Sequence, residues 1–294
     1  MRNNSIYKLI FLGAMIIYSF LSASCVRRDL EVPPTEGQVD ISFNWKNLFP
    51  GETIPAGMKL CFFRSDGVTV VKECTGTGFS GSLPIGIYKV LAYNTDATGV
   101  AYRNTDSYSE AQVYAPSLTK GYNYISQPLH VYGIGLDLLT VSYNQDAVSE
   151  MTPVSLIKKA TFQLTVTGDK SAVASCNTML TGIVQAVNIS TGQLQNDTGV
   201  VSFIPVSTST GFESSVSFFG KVDSAPNQLE TTVNFTSGGS QTIIVDVTSK
   251  FTEINTIVVP IEVKVNIEVT GTVQTGFTAI LKSWSVEDKN VSVY

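Results

Sequence analysis

The segment from Ile261 to Thr270 leaves little freedom in how it folds. Ile261, Val263, Val265, Ile267 and Val269 alternate with Glu262, Lys264, Asn266, Glu268 and Thr270. A helix would scatter those apolar side chains around its circumference. A strand collects them on one face and leaves the polar residues on the other. Strict alternation over this length predicts a long, half-buried strand, and a strand needs neighbours. Other segments supply them. Val39, Ile41, Phe43 and Trp45 alternate with Asp40, Ser42 and Asn44, and "KKATFQLTVTG" turns Phe162, Leu164 and Val166 inward. "MKLCFFR" and "VTVVKEC" flank Ser65-Asp66-Gly67, a hairpin turn in which glycine tolerates positive φ.

Further candidates are shorter. Pro84 and Gly86 mark a turn, after which Tyr88, Val90 and Ala92 alternate with Lys89, Leu91 and Tyr93. Bulk on both faces predicts an internal strand. "TGVAYRN", "AQVYAP" and "NYISQPLHVYG" complete a strand-rich first unit over residues 39–133. Residues 134–154 read as an irregular linker ending in "SEMTPV". A second unit fills 155–294, with candidate strands in "VVSFIPVS", "SSVSFFG", "LETTVNF", "QTIIVDVTS" and "GFTAILKSWSV". "SAVASCNTMLTGIVQAVNIS" reads either as a short helix or as a strand with its connection. The long amphipathic helices of βαβ units are missing. The expected class is therefore all-β, with two antiparallel β-sandwich domains.

The first residues are of a different kind. Arg2 and Lys8 precede the apolar run "LIFLGAMIIYSFL", and Ser22-Ala23-Ser24 supply the small residues of a cleavage site. Residues 1–24 are expected to be a signal peptide, too short and wrongly flanked for a spanning helix. Cys25 follows at once. "LSASC" resembles the lipobox of bacterial lipoproteins, with Leu21 four residues before the cysteine where the commonest pattern has three. Cys25 is the expected lipidation site. Residues 25–38 form a lipidated tether in which Pro33-Pro34 and Gly37 favour an extended chain. Acyl chains on one cysteine act together, each buried CH₂ contributing about 0.8 kcal/mol to membrane attachment.

Charge and motifs narrow the chemistry. Two of the 19 basic residues and none of the 24 acidic ones lie in residues 1–24, so the remainder carries a formal charge of −7. That argues against nucleic acid as a partner. Besides Cys25 there are Cys61, Cys74 and Cys176. The 65–67 turn would set Cys74 opposite Met58 or Lys59. A Cys61–Cys74 disulfide and buried free thiols both remain open. His130 is the one histidine and sits in a strand-like run between Leu129 and Val131. A structural or surface role is expected for it. No metal site, cofactor or catalytic residue is expected, because no nucleotide-binding loop, EF-hand, clustered Cys/His ligands or nucleophile signature occurs. Tyr88, Tyr93, Tyr102, Tyr108, Tyr114, Tyr122, Tyr124 and Tyr132 crowd the first unit. They suit either sandwich packing or ligand recognition.

Three stretches carry a resemblance. Cys25-x-Arg27-Arg28-Asp29-Leu30 resembles the mature start of one branch of the Bacteroidetes fimbrillin-like lipoproteins. "SGSLPIGIYKVLAYN" is similar to the Leu-Pro-x-Gly-x-Tyr-x-Val element of fimbrial anchor and minor-subunit proteins, and "PVSLIKKATFQLTVTG" with Thr181-Gly182 to their second-domain opening. The resemblance implies two transthyretin-like β-sandwiches on a lipid anchor in the outer membrane, facing the cell surface. It implies a non-enzymatic anchor, accessory subunit or adhesin of fimbria-like assemblies, with fimbrial subunits as partners that dock by strand addition. The alternative is a carbohydrate-binding lipoprotein of a glycan-uptake system, with a glycan as partner.

Overall fold

A computed structural model describes residues 34–119, 123–249, 251–256, 260–272 and 276–288. Cys25 and the signal and tether residues up to 33 lie outside the described residues, as does Tyr122. The strands are β1 (Glu36–Phe43), β2 (Gly57–Arg64), β3 (Thr69–Thr75), β4 (Gly78–Pro84), β5 (Gly86–Asn94), β6 (Ala101–Arg103), β7 (Gln112–Tyr114), β8 (Tyr124–Ile125), β9 (Tyr132–Val141), β10 (Ala147–Met151) and β11 (Val154–Ser155). They continue as β12 (Lys158–Gly168), β13 (Val173–Val184), β14 (Ala186–Asn188), β15 (Thr198–Phe203), β16 (Val206–Ser207), β17 (Gly211–Phe218), β18 (Gln228–Phe235), β19 (Ser240–Asp246), β20 (Ile261–Thr272) and β21 (Gly276–Asp288). Among the described residues the only helical element is a 3₁₀ turn at Lys170–Ala172. The fold is all-β.

Eight strands make the first sheet, in the order β10-β1-β4-β3-β2-β5-β9-β11. Its pairings are antiparallel except that β1 and β10 run parallel. β3 and β4 share a single pair, Thr75 with Gly78, so the sheet is weakly joined there and folds over itself. The Phe62 and Phe79 rings from the two sides then meet at 5.8 Å. Val39, Ile41, Met58, Leu60, Tyr88 and Val90 fill the space between the layers, all nearly or fully buried. The internal placement expected for β5 holds: β2 flanks it on one side and β9 on the other.

Two five-stranded sheets, β16-β17-β12-β20-β21 and β19-β18-β13-β15-β8, carry the second core. Val263, Val265 and Ile267 of β20 and Phe162 and Leu164 of β12 join one cluster with Leu180, Val201 and Leu229 of the facing sheet. Phe162 and Phe203 meet across the layers at 5.0 Å. β20 adds to β12 in parallel, which sets Val265 beside Leu164 and, on the far side, beside Trp284 of β21.

Two expectations need correction. Residues 134–154 are not an irregular linker: they hold most of β9 and all of β10. Gly133 and Gly135 interrupt the alternation of β9, and β10 is a short edge strand with only Ala147 and Met151 buried, so neither has a clear period. β6, β7 and β8 do not close the first sheet. β6 and β7 form a three-stranded sheet with β14, and β8 becomes the outer strand beside β15. Elements of two or three residues carry too little pattern to name a partner. The ambiguous "SAVASCNTMLTGIVQAVNIS" is resolved as the long strand β13 followed by β14.

β13 contains a bulge between Leu180 and Ile183. Gly182 occupies it at φ +70°, and a Cβ there would lie 2.5 Å from the Pro226 carbonyl oxygen and 2.6 Å from Asn227 Nδ2. That Nδ2 donates to the carbonyls of Thr181 and Gly182, so it cannot simply move aside. Gly182→Ala is expected to cost about 2–4 kcal/mol, from left-handed backbone strain and the clash together. Urea unfolding of the variant measures it.

Candidate functional site

The single histidine lies in a partly buried polar cluster where four chain segments meet. His130 is not in a strand. It sits at a bend with φ +55°, a left-handed conformation uncommon for a residue other than glycine. Its Nδ1 is 3.0 Å from Glu52 Oε2, so this nitrogen carries the proton and donates it to the carboxylate. Its Nε2 is 3.7 Å from Asp96 Oδ2. The same Glu52 oxygen accepts from the Tyr132 hydroxyl at 2.7 Å, and that hydroxyl in turn accepts from the Phe49 amide. Lys159 Nζ, from β12, approaches Glu52 Oε1 at 2.5 Å and lies 4.7 Å from the centroid of the Phe49 ring.

Asn94 completes the cluster from the end of β5. It is fully buried and every side-chain group has a partner: Nδ2 donates to Asp96 Oδ1 and the His130 carbonyl, and Oδ1 accepts from the Tyr132 amide. Burial by itself would raise the Glu52 carboxyl. Hydrogen bonds from Lys159, Tyr132 and His130 outweigh it and hold the group below the usual glutamate value. Asp96 is held low against the same opposition, by Asn94 and the Ala56 amide. Neither histidine nitrogen faces a hydroxyl or thiol nucleophile, so this is not a catalytic triad. It ties the 44–56 loop, the ends of β5 and β9, and β12 into one piece. Among the described residues no group of three His, Cys, Asp or Glu could hold a metal ion.

A structural or surface role is expected for His130; it is partly buried and bonded to Glu52. Its partners Glu52, Asp96, Asn94 and Lys159 were missed, because they lie in separate segments and only the tertiary fold brings them together. Among the described residues, Cys61, Cys74 and Cys176 are free thiols. Cys74 stands opposite Met58, as the turn predicted, while Cys61 stands opposite Val71. The three-residue offset sends the two sulfurs to opposite faces of the sheet, Cys61 to one core and Cys74 against the other. Burial pushes the Cys74 thiol up to about 11 and the Cys176 thiol up to about 12, so neither is a ready nucleophile.

The tyrosines are mostly packing residues. Tyr88 and Tyr132 are fully buried, and Tyr88 donates to the Pro84 carbonyl. Tyr93 packs 4.6 Å from Tyr102, whose hydroxyl donates to the Asn94 carbonyl. Tyr108 is covered by Lys89, and Tyr114 by Arg103. Among the described residues these tyrosines do not line up as an exposed platform.

A sheet edge is the other notable surface. β10 ends the eight-stranded sheet and pairs only with β1 among the described residues. Its Val148 is 74 % exposed. Shallow depressions flank it, one reaching Leu138 and Thr140, the other Ser42 and Phe79.

The family model described as "Domain of unknown function (DUF5119)" matches residues 24–203. The chain belongs to that family. The DUF5119 match opens one residue before Cys25 and runs to the end of β15. A candidate fimbrium anchoring subunit of Bacteroides ovatus, Fim4B, is 24% identical over 177 residues, which is 57% of this chain and 51% of that protein. The chain thus spans about half the length of the curated relative it matches. A solved candidate adhesin from Bacteroides ovatus aligns with a TM-score of 0.63 at 20% identity, covering 79% of this chain and 89% of that one. The fimbrial anchor protein Mfa2 from Porphyromonas gingivalis aligns with a TM-score of 0.56 at 9% identity, covering 85% and 96%. These likenesses establish a shared fold over most of the DUF5119 chain and its neighbours.

Proposed function

We propose that this protein is a non-enzymatic, lipid-anchored component of the outer membrane that faces the cell surface and serves a fimbria-like assembly as anchor, accessory subunit or adhesin. The observation that carries the proposal is the sequence relationship to a candidate fimbrium anchoring subunit. The shared fold with Mfa2 is in keeping with it. Acylation of Cys25 would hold the chain, residues 26–38 would space it from the lipid, and two β-sandwich domains would make up the folded body. Among the described residues no helix is long and apolar enough to cross a membrane, which leaves attachment to the lipidated end in this reading. Fimbrial subunits are the partners, and β10 is the edge on which an incoming strand would add, because it is the longer of the sheet's two edge strands, 5 residues against 2 in β11.

One experiment tests both halves of this reading. Native protein crosslinked in cells and recovered from the membrane fraction should bring fimbrillin-like subunits with it and carry an acylated N-terminal cysteine by intact mass. The Cys25→Ala form should leave the membrane fraction. Membrane retention of that form overturns the anchor. Recovery of no subunits, with saturable binding to a defined glycan, overturns the fimbrial role in favour of glycan capture.

A further inference from the structure

The end of the first sandwich at which β1 begins gathers exposed apolar side chains from three connections. Glu36 opens β1 opposite Pro84, the last residue of β4, and Ile85 forms the turn into β5. Ile87 pairs with Thr140, which sets the end of β9 at the same level, and Tyr143 lies two residues past that end. Gly37 passes so close to this connection that a Cβ on it would lie 2.2 Å from the Ser142 carbonyl oxygen. The Ser65 amide donates to the Ile87 carbonyl and brings in the β2–β3 turn with Val68. Val68, Ile85, Ile87 and Tyr143 are each 39–60% exposed. The charges beside them have partners: Arg64 meets Asp66 at 2.6 Å, and Glu36 accepts from the Ser82 hydroxyl. This end therefore offers apolar contact rather than a field of one sign.

We propose that this end of the first sandwich seats on a lipid surface, with Val68, Ile85 and Ile87 in the boundary between headgroups and acyl chains and Tyr143 at its rim. The proposal rests on the Cys25 anchor put forward above. Cys25 stands eleven positions before Glu36. β1 takes up residues 36–38 of the expected tether, and what remains spans at most about 40 Å when fully extended. The body is thus joined to its anchor within the apolar set, so this is the end that the linkage presents to lipid. Linkage also makes weak contacts sufficient, because a tethered surface meets its target at an effective concentration on the order of millimolar. Each apolar side chain that leaves water there contributes in proportion to the area it buries. Tyrosine suits the rim, where its ring meets apolar groups and its hydroxyl stays wet. β10 runs parallel to β1 and so away from this end, which keeps that edge open to a partner while the body is seated.

The test uses the protein purified from membranes and returned to nanodiscs of zwitterionic lipid, with a gadolinium chelate on a fraction of the headgroups. Intact mass reports acylation of Cys25, and paramagnetic broadening of side-chain methyl signals reports nearness to the headgroups. Val68, Ile85 and Ile87 should broaden most. Ile54, beside Gly76 in the β3–β4 turn and about 25 Å away along β2, should broaden far less. Ile87→Asp and Tyr143→Asp alter exposed positions and should leave the fold intact. Each should lower the ratio of seated to free body about tenfold, the effect of losing one apolar contact of that size. High salt should leave the pattern unchanged, since no charge attraction holds it. An unacylated mass overturns the anchor reading and this proposal with it. In the acylated protein, equal broadening of Ile54 and Ile85, Asp variants that match the parent, or loss of the pattern in high salt overturns this proposal alone. So does broadening at this end only after fimbrial subunits are added, which would assign the surface to a protein partner.

Discussion

Val265→Asp is expected to leave no stably folded second sandwich. Val265 is 1% exposed at the middle of β20, where it stands between Leu164 of β12 and Trp284 of β21. An ionised carboxylate there has no partner, and the neutral acid still buries an unsatisfied hydroxyl and carbonyl. Such burial costs several kcal/mol, about 4 or more, against a total stability of about 5–15 kcal/mol for a typical domain. The variant should accumulate as insoluble protein or melt far below the parent by circular dichroism. Thr270→Asp is the control. Thr270 is exposed on the opposite face of the same strand, and its change should stay within about 1 kcal/mol. Equal melting of the Val265→Asp protein and its parent would disprove the assignment of β20 to the core.

The second large effect is expected at Glu52. Glu52→Ala removes the acceptor shared by Lys159, Tyr132 and His130 and leaves a lysine ammonium without its counter-charge. Breaking one side of a largely buried pair costs about 3–5 kcal/mol. Glu52→Gln keeps an acceptor oxygen but not the charge, and should fall between parent and Ala. The pH dependence has a definite sign. The folded carboxyl titrates below its ordinary value of 4.5. Its contribution is therefore complete above about pH 4.5 and fades as pH falls through the folded value. Urea unfolding of parent and Glu52→Gln at pH 7 and at pH 3 should show the gap between them shrinking in acid. Asp96 is also held low, so the parent and the variant should both lose stability from it. A gap that is constant with pH would show that Glu52 does not act through its charge.

Much of the fold could be read from residues whose pattern is long. β1, β12 and β20 alternate over enough positions that period two has no rival, and their inward residues Val39, Ile41, Phe162, Leu164 and Val265 are all buried. Asp66-Gly67 fixed the β2–β3 register because a tight turn sets every later pair. The cross-connections were not legible. β8, β6 and β7 join residues from both halves through two- and three-residue ladders, whose partners are chosen by tertiary packing rather than by any local periodicity. The histidine cluster was hidden for a related reason. Glu52 and Asp96 look like solvated loop acids in sequence, and nothing local says that Lys159, next to a buried strand position, will turn toward them.

The parallel partnership of β12 and β20 also sets the order in which the molecule can be completed. β12 lies between β17 and β20, and β20 follows every strand of the facing sheet in chain order. Until it emerges, one edge of β12 and the apolar row Phe162, Leu164 and Val166 lack their final cover. Pairing segments so far apart carries a large loop-closure cost and is slow. Closure of the second sandwich therefore waits for β20. Under the lipoprotein reading proposed above, that delay would favour export over premature closure. It also leaves an unpaired strand edge that is open to aggregation in the interval.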